Sequence, residues 1–395
     1  MGHGNRNQAH EPAGFTVRGI VIKIALAALG AVAVSIGPGV ADIVEFMHGG
    51  DGASSARLSL DRRPLCARPF SPSASESMRF SGLYPAIEGK LPLSNFRPGQ
   101  IVEFDPRTMS ASEARSYVKS LQALGAFVSV YLVGGHCDRG ADCESLTGSV
   151  RLASTGSWNW DKSERRILDI VHPAVLARLS QGIRNGWQLG ANFIRIDNLH
   201  NPAGSSHPRT PAQMKKIVDL AHAIEDQLRA DGSIAAERVT GLVAHNNFVA
   251  WRHLIEQGEL RRLPAFLTSE RTAQLAALPD FEGDARMKAH QLVPEEHPEI
   301  HAARRIAQHF QIPYTIVEFR QSHDLARPGE TYQLPQTYVH ALRQLRGVSE
   351  VIVMRSESHY VGRPEVFEGP GPKTLPRYAK TARALIRSEC LIGPL

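Results

Sequence analysis

The chain has 395 residues, 42% of them apolar and 21% charged, with a formal net charge of +6. These proportions exclude a wholly disordered chain and a polytopic membrane protein, and the length admits a barrel-sized domain of about 250 residues with extensions. The basic residues are dispersed and no RNA-binding or helix-turn-helix signature accompanies them, so no nucleic-acid partner is expected.

The first element in the chain is TVRGIVIKIALAALGAVAVSIGPGVAD. Arg18 and Lys23 precede an uncharged run from Ile24 to Ile36, followed by Gly37-Pro38 and a small-x-small ending at Gly39-Val40-Ala41. A basic flank, a short apolar core, a breaker and small residues make a secretory signal over 1–41, cut after Ala41. The alternative is an uncleaved anchor starting near Ile20, with Lys23 reaching the interface and attaching the protein to a membrane. Either reading exports the remainder, to a secreted or periplasmic location. Four cysteines suit that compartment: Cys137 and Cys143 flank a short loop that a disulfide could staple, and Cys66 and Cys390 could tie the ends of the exported part together. Three pairings are open.

From 42 to 97 the chain is rich in Ser, Pro, Gly and Arg and reads as a linker and lead-in. Beyond it, from 98 to 395, short apolar runs alternate with helical patterns. The strand candidates are QIVEFD (100–105), AFVSVYLV (126–133), RILDI (166–170), FIRID (193–197), TGLVA (240–244), AFLTSE (265–270), YTIVEF (314–319) and EVIVMR (350–355). Between them, Ser110-x-x-Glu113 and Thr210-x-x-Gln213 are capping boxes, Pro173 and Pro211 suit first helical turns, and Gly125, Gly190 and Gly232 suit C-terminal ends. In PAQMKKIVDLAHAIEDQL, the residues Met214, Ile217, Val218, Ala221, Ile224 and Leu228 form one apolar face. Eight such strands fit a (β/α)8 TIM barrel of the α/β class. A doubly wound sheet is disfavoured because no Gly-rich phosphate fingerprint follows the first strand.

In such a barrel the chemistry gathers at the C-terminal ends of the strands. The residues there are Asp105, Tyr131, Asp169, Asp197, Asn246, Glu270 and Glu318. Several carboxylates at one mouth suit hydrolysis of a glycosidic bond, which needs one group to donate a proton and another, ionised, to attack or to activate water. Arg195 shares a strand face with Asp197 and would favour its ionised form, whereas Glu270 beside an anion would keep its proton longer. Glu103 is expected to pair with Arg195 inside the barrel. Tyr131, Trp158 and Trp160 could stack on sugar rings or simply pack. His136, His172, His200, His245, His323 and His359 follow several strands, yet neither H-x-H nor H-E-x-x-H occurs, and G-x-S-x-G is absent.

The series IVEFDP, AFVSVYLVGGHCD, WNWDKSERRILDI, GANFIRIDNLH, GLVAHNN and FLTSER resembles, in order and spacing, the blocks of glycoside hydrolase family 114, the endo-α-1,4-polygalactosaminidases, across about 100–319. The resemblance implies a TIM barrel in which Asp197 and Glu270 are the catalytic pair. The expected substrate-binding set is Asp105, which could instead fix a loop, with Tyr131, Trp160, Asn198, Asn246 and Glu318; of these, Asn198 and Glu318 lie in segments that carry the resemblance. The family's D-N-x-D motif carries His200 at its fourth place here, which puts details of the subsites in question. The implied partner is a polysaccharide, an α-1,4-linked galactosamine polymer, acted on by a monomer that needs no cofactor and no metal. Two rivals are a non-catalytic carbohydrate-binding barrel in polysaccharide export and a metal-dependent hydrolase.

Overall fold

The chain divides into two units, Met1–Ser54 and Ser55–Leu395. The computed structural model describes residues 77–87, 89–138, 165–197, 199, 210–275, 294, 297–323, 331–356 and 363–376, all in the second unit. The N-terminal signal or anchor segment and Cys66, Cys143, Trp158, Trp160, Asn198, His200, His359 and Cys390 lie outside these residues. Among those described, no helix is long and apolar enough to cross a membrane.

Eight strands run parallel in chain order: β1 (Leu83–Pro85), β2 (Ile101–Phe104), β3 (Phe127–Val133), β4 (Phe193–Asp197), β5 (Gly241–His245), β6 (Phe266–Glu270), β7 (Tyr314–His323) and β8 (Glu350–Ser356). They make one curled α/β sheet whose strands are buried on both faces, as parallel strands covered by crossover helices must be. Seven of the eight expected runs are in it. The exception is RILDI: residues Arg165–Ile167 pair antiparallel with His136–Asp138 in a separate two-stranded ribbon. The missing place is taken by β1, from the segment read as a lead-in, and Phe80, Leu83, Tyr84, Leu91 and Phe96 of that segment are buried in the core.

The sheet is not closed by a ladder between β8 and β1. An antiparallel strand, Glu365–Glu368, occupies the outer edge of β8. The two ends of the parallel series are joined through a side chain instead: Leu83 N donates to Glu350 Oε1 at 2.7 Å.

The crossovers are the helices α1 (Ala111–Ala123), α2 (Pro173–Leu189), α3 (Pro211–Ala230), α4 (Phe248–Glu256), α5 (Pro298–Phe310) and α6 (Gln336–Gln344). The expected starts are observed. Ser110 and Glu113 form a capping box on α1, Thr210 and Gln213 form one on α3, and Pro173 and Pro211 stand in first turns. The apolar stripe of α3 is buried as expected, and α2 ends at Gly190 with φ +114°, where a side chain would be strained. The capping of α4 comes from elsewhere in the chain. Asn247 makes no side-chain cap, and the backbone N–H groups of Phe248 and Val249 donate to Glu299 of α5.

Candidate active site

Parallel register decides which side chains meet inside the curl, because paired residues share a face and alternate residues along a strand point the same way. Phe127 and Phe193 pack with their rings 6.1 Å apart, and Phe193 meets Phe266 edge to face at 5.3 Å, forming an aromatic floor. One step up β4, Arg195 pairs with Tyr131 on one side and Val243 on the other. Another step up are Asp197, registered with Val133, and His245, registered with Thr268.

Arg195 is the hub. Its Nη1 donates to Glu103 Oε1 at 2.6 Å, its Nη2 donates to Glu270 Oε2 at 2.7 Å and lies 2.9 Å from His245 Nε2, and its guanidinium is 5.1 Å from the centre of the Tyr131 ring. The expected Glu103–Arg195 pair is thus present, completed by Ser129 Oγ donating to Glu103 Oε2 at 3.2 Å. Tyr131 Oη donates to Asp197 Oδ2 at 2.6 Å. Asp197 Oδ1 is 3.2 Å and Glu270 Oε2 is 3.9 Å from His245 Nε2, so the two carboxyls lie within about 7 Å, a range over which a pair can flank one glycosidic bond. Asp197 and Glu270 each keep 13% side-chain exposure, against 1% for Arg195 and His245. An incoming molecule therefore meets the two carboxyls before the groups that hold them.

Burial pushes the Asp197 carboxyl up. The hydrogen bond and charge of His245, the Arg195 guanidinium and the Tyr131 hydroxyl outweigh it and hold the group well below the usual carboxylate range. At Glu270 burial again acts upward, but Arg195 and then Arg271, whose Nε is 3.6 Å from Glu270 Oε1, lower it overall despite the opposing charge of Asp197. Glu270 thus lies below the ordinary carboxylate range, though not as far below it as Asp197. The anionic neighbour is present, and two guanidiniums overrule it.

Asn246 and Asn247 both adopt left-handed backbone, φ +48° and +53°, which asparagine tolerates better than most residues. The turn they make lets Asn246 Oδ1 accept from Glu270 N at 3.1 Å while its Nδ2 faces His245 Nε2 at 3.0 Å. Asn246 therefore braces the site, tying the end of β6 to the end of β5. The sequence alone places His245 only among scattered histidines. Its Nε2 faces Asp197 as well as the donors of Arg195 and Asn246, and its Nδ1 is 2.8 Å from Thr268 Oγ1. One ring nitrogen can donate to the carboxylate or accept from those donors, but not both, so whether Nε2 carries the hydrogen decides which set is satisfied. The signal for it is its parity on β5, readable only once the register with β4 and β6 is known.

Of the expected binding residues, Asp105 takes its loop-fixing alternative and Glu318 is placed otherwise. Asp105 is buried and caps a single 3-10 turn at Pro106–Thr108, accepting from Arg107 N at 2.9 Å and from the Arg107 side chain at 2.5–3.0 Å, so it fixes the loop after β2. Glu318 has the opposite parity to Val317, the residue registered with Glu270, and is 2% exposed. It faces the helical layer and is closed to a ligand in the curl.

No family model matches the chain, and no curated protein matches it. Solved structures similar to it include Aspergillus fumigatus Ega3 in complex with galactosamine, at 11% identity and TM-score 0.46, covering 76% of this chain and 99% of that one. The glycoside hydrolase domain of PelA from Pseudomonas aeruginosa is similar at 13% identity and TM-score 0.44, covering 72% and 98%. A maltogenic alpha-amylase, AmyB from Thermotoga neapolitana, is similar at 11% identity and TM-score 0.38, covering 74% and 71%. At these values the likeness carries no residue role to this chain.

Proposed function

We propose that the chain is an exported glycoside hydrolase that cuts within an amino-sugar polysaccharide, an α-1,4-linked galactosamine polymer, using Asp197 and Glu270, on a sheet read as a (β/α)8 barrel. The observation that carries this reading is the convergence of two partly exposed carboxyls on one buried Arg195–His245 pair at the C-terminal ends of β4 and β6. The ordered motif series supplies the substrate. In the proposed mechanism Asp197, ionised well below neutrality, attacks the anomeric carbon or activates water, and Glu270 protonates the leaving oxygen.

Glu270 needs its proton for that role, although the unliganded site favours its carboxylate. A positively charged amino sugar would be drawn to this pair. As the sugar shields Glu270 from water and engages Asp197, the Arg195 fork and the His245 ring are the groups whose contacts set which carboxyl keeps a proton. Tyr131, hydrogen-bonded to Asp197 on the inner wall, orients the attacking oxygen.

The test is reducing-end release from poly-α-1,4-galactosamine by the wild-type chain, Asp197→Asn and Glu270→Gln. Both variants, folded, are expected to lose about 10³-fold or more in kcat/KM. Retained hydrolysis in either removes that residue from the mechanism, and binding of the polymer without hydrolysis by the wild type establishes the carbohydrate-binding alternative.

A further inference from the structure

Behind the strand end that carries Glu270 is a second polar network, on the opposite side of the sheet. Thr272, two residues beyond Glu270, donates its Oγ1 hydrogen bond to Glu318 Oε1 on β7, and Ala273 N donates to the same oxygen at 3.4 Å. Thr272 Oγ1 also lies 2.9 Å from Tyr338 Oη of α6. Glu318, Thr272 and Tyr338 are all buried. Between Glu270 and Thr272 the backbone makes a forced turn. Arg271 has φ +56°, unusual for a side-chain-bearing residue, and its N–H is held by Val317 O at 3.0 Å. Glu270 is thus held on its N-terminal side by Asn246 and followed by a strained turn whose far side meets the Glu318 carboxyl.

We propose that Glu318 is a positioning residue for Glu270, fastening the Arg271–Ala273 turn through Thr272 and so holding the Glu270 carboxyl against Arg195. The inference rests on Glu270 being one of the reacting pair. The groups facing Glu318 are Tyr314 along β7 and Thr272 and Tyr338 from the turn and α6, while the charge of Glu270 acts on it from the other face of the sheet. Burial first, and the charge of Glu270 in the same direction, push the Glu318 carboxyl up to about 7.

Positioning and simple charge repulsion predict different outcomes at Glu270. With the tether cut, Glu270 drifts from Arg195 and its carboxyl rises toward the ordinary value. If Glu318 acted only through its charge, it would already be protonated where Glu270 titrates, and removing it would leave the Glu270 midpoint unmoved.

The experiment is a 13C titration of the chain labelled at the glutamate side-chain carboxyl, with the Glu270 resonance assigned by its loss in Glu270→Gln. The Glu270 midpoint is expected to rise in both Glu318→Met and Thr272→Val, to stay in place in Glu318→Gln, which keeps the acceptor, and to return in Thr272→Ser. Thr272→Ala removes the same hydroxyl without added bulk and gives the same reading where valine is not accommodated. A midpoint unmoved or lowered in the hydroxyl-free variants overturns the proposal, whatever Glu318→Met does. The titration needs no substrate, so its outcome stands apart from the hydrolysis assay that decides the function.

Discussion

A guanidinium as deeply buried as that of Arg195 is held in place by the charges it neutralises, here Glu103 at 2.6 Å and Glu270 at 2.7 Å. Removing it strands two carboxylates in a low-dielectric interior. Arg195→Met is therefore expected to lower stability by about 3 kcal/mol or more in urea unfolding, with part regained by adding Glu103→Gln. Equal stability of the single variant and wild type would show that the pair is not coupled as described. A second prediction concerns Tyr131. Its hydroxyl helps hold Asp197 ionised, so Tyr131→Phe should move the acid limb of the pH profile of kcat/KM to higher pH, the sign expected when a hydrogen bond to the charged form is lost. A limb that stays in place would detach Tyr131 from the ionisation of Asp197. At this scale the sequence was informative where polarity and strand parity coincide, at Glu103, Arg195, Asp197 and Glu270. It named Glu318 but did not fix which face of β7 it takes, and it was silent about the Arg271 guanidinium that lowers Glu270.

Among the elements, α4 follows directly on the His245-Asn246-Asn247 corner, and its first N–H groups are satisfied by Glu299 from α5. Glu299→Ala would leave two buried donors unmet, with an expected loss of about 2 kcal/mol by thermal or chemical unfolding, while Glu299→Gln keeps an acceptor and should lose less. Identical losses would mean that packing, not capping, is the function of Glu299. Local capping was legible because both partners lie within four residues, as in Ser110–Glu113. A cap supplied from fifty residues away leaves no local pattern. The same limit explains RILDI, whose alternation fits any half-buried strand and does not name a ladder partner. Three-residue β1 is too short to show a period.

For the whole molecule, the seam between the first and last parallel strands is spanned by Glu350, whose Oε1 accepts from Leu83 N at 2.7 Å and from Thr315 Oγ1 at 2.9 Å. Burial pushes its carboxyl up to about 7, against the lowering effect of those bonds, Lys373 and Arg97. A carboxyl raised on folding contributes stability that is fully present below the unfolded value near 4.5 and is lost as pH rises through about 7. Between those two values this group should cost the fold a few kcal/mol as pH rises, at a slope of at most about 1.4 kcal/mol for each step of one in pH, and Glu350→Gln should flatten that slope in a series of melts. An unchanged slope would place the titration elsewhere. The parallel α/β order was legible from alternating strand and helix signals, while the antiparallel strand at the β8 edge was not, since edge pairing depends on which segments are left over. What the whole sheet accomplishes is to bring Asp197 and Glu270, from β4 and β6, to one opening, and the most direct test of the distinct roles proposed for them compares two substrates. On an activated aryl glycoside of a galactosamine oligosaccharide, whose leaving group needs no proton, Glu270→Gln should recover much of the cleavage it loses on the native polymer, whereas Asp197→Asn should stay inactive on both. Equal losses for Glu270→Gln on the two substrates, or activity in Asp197→Asn, would contradict the assignment.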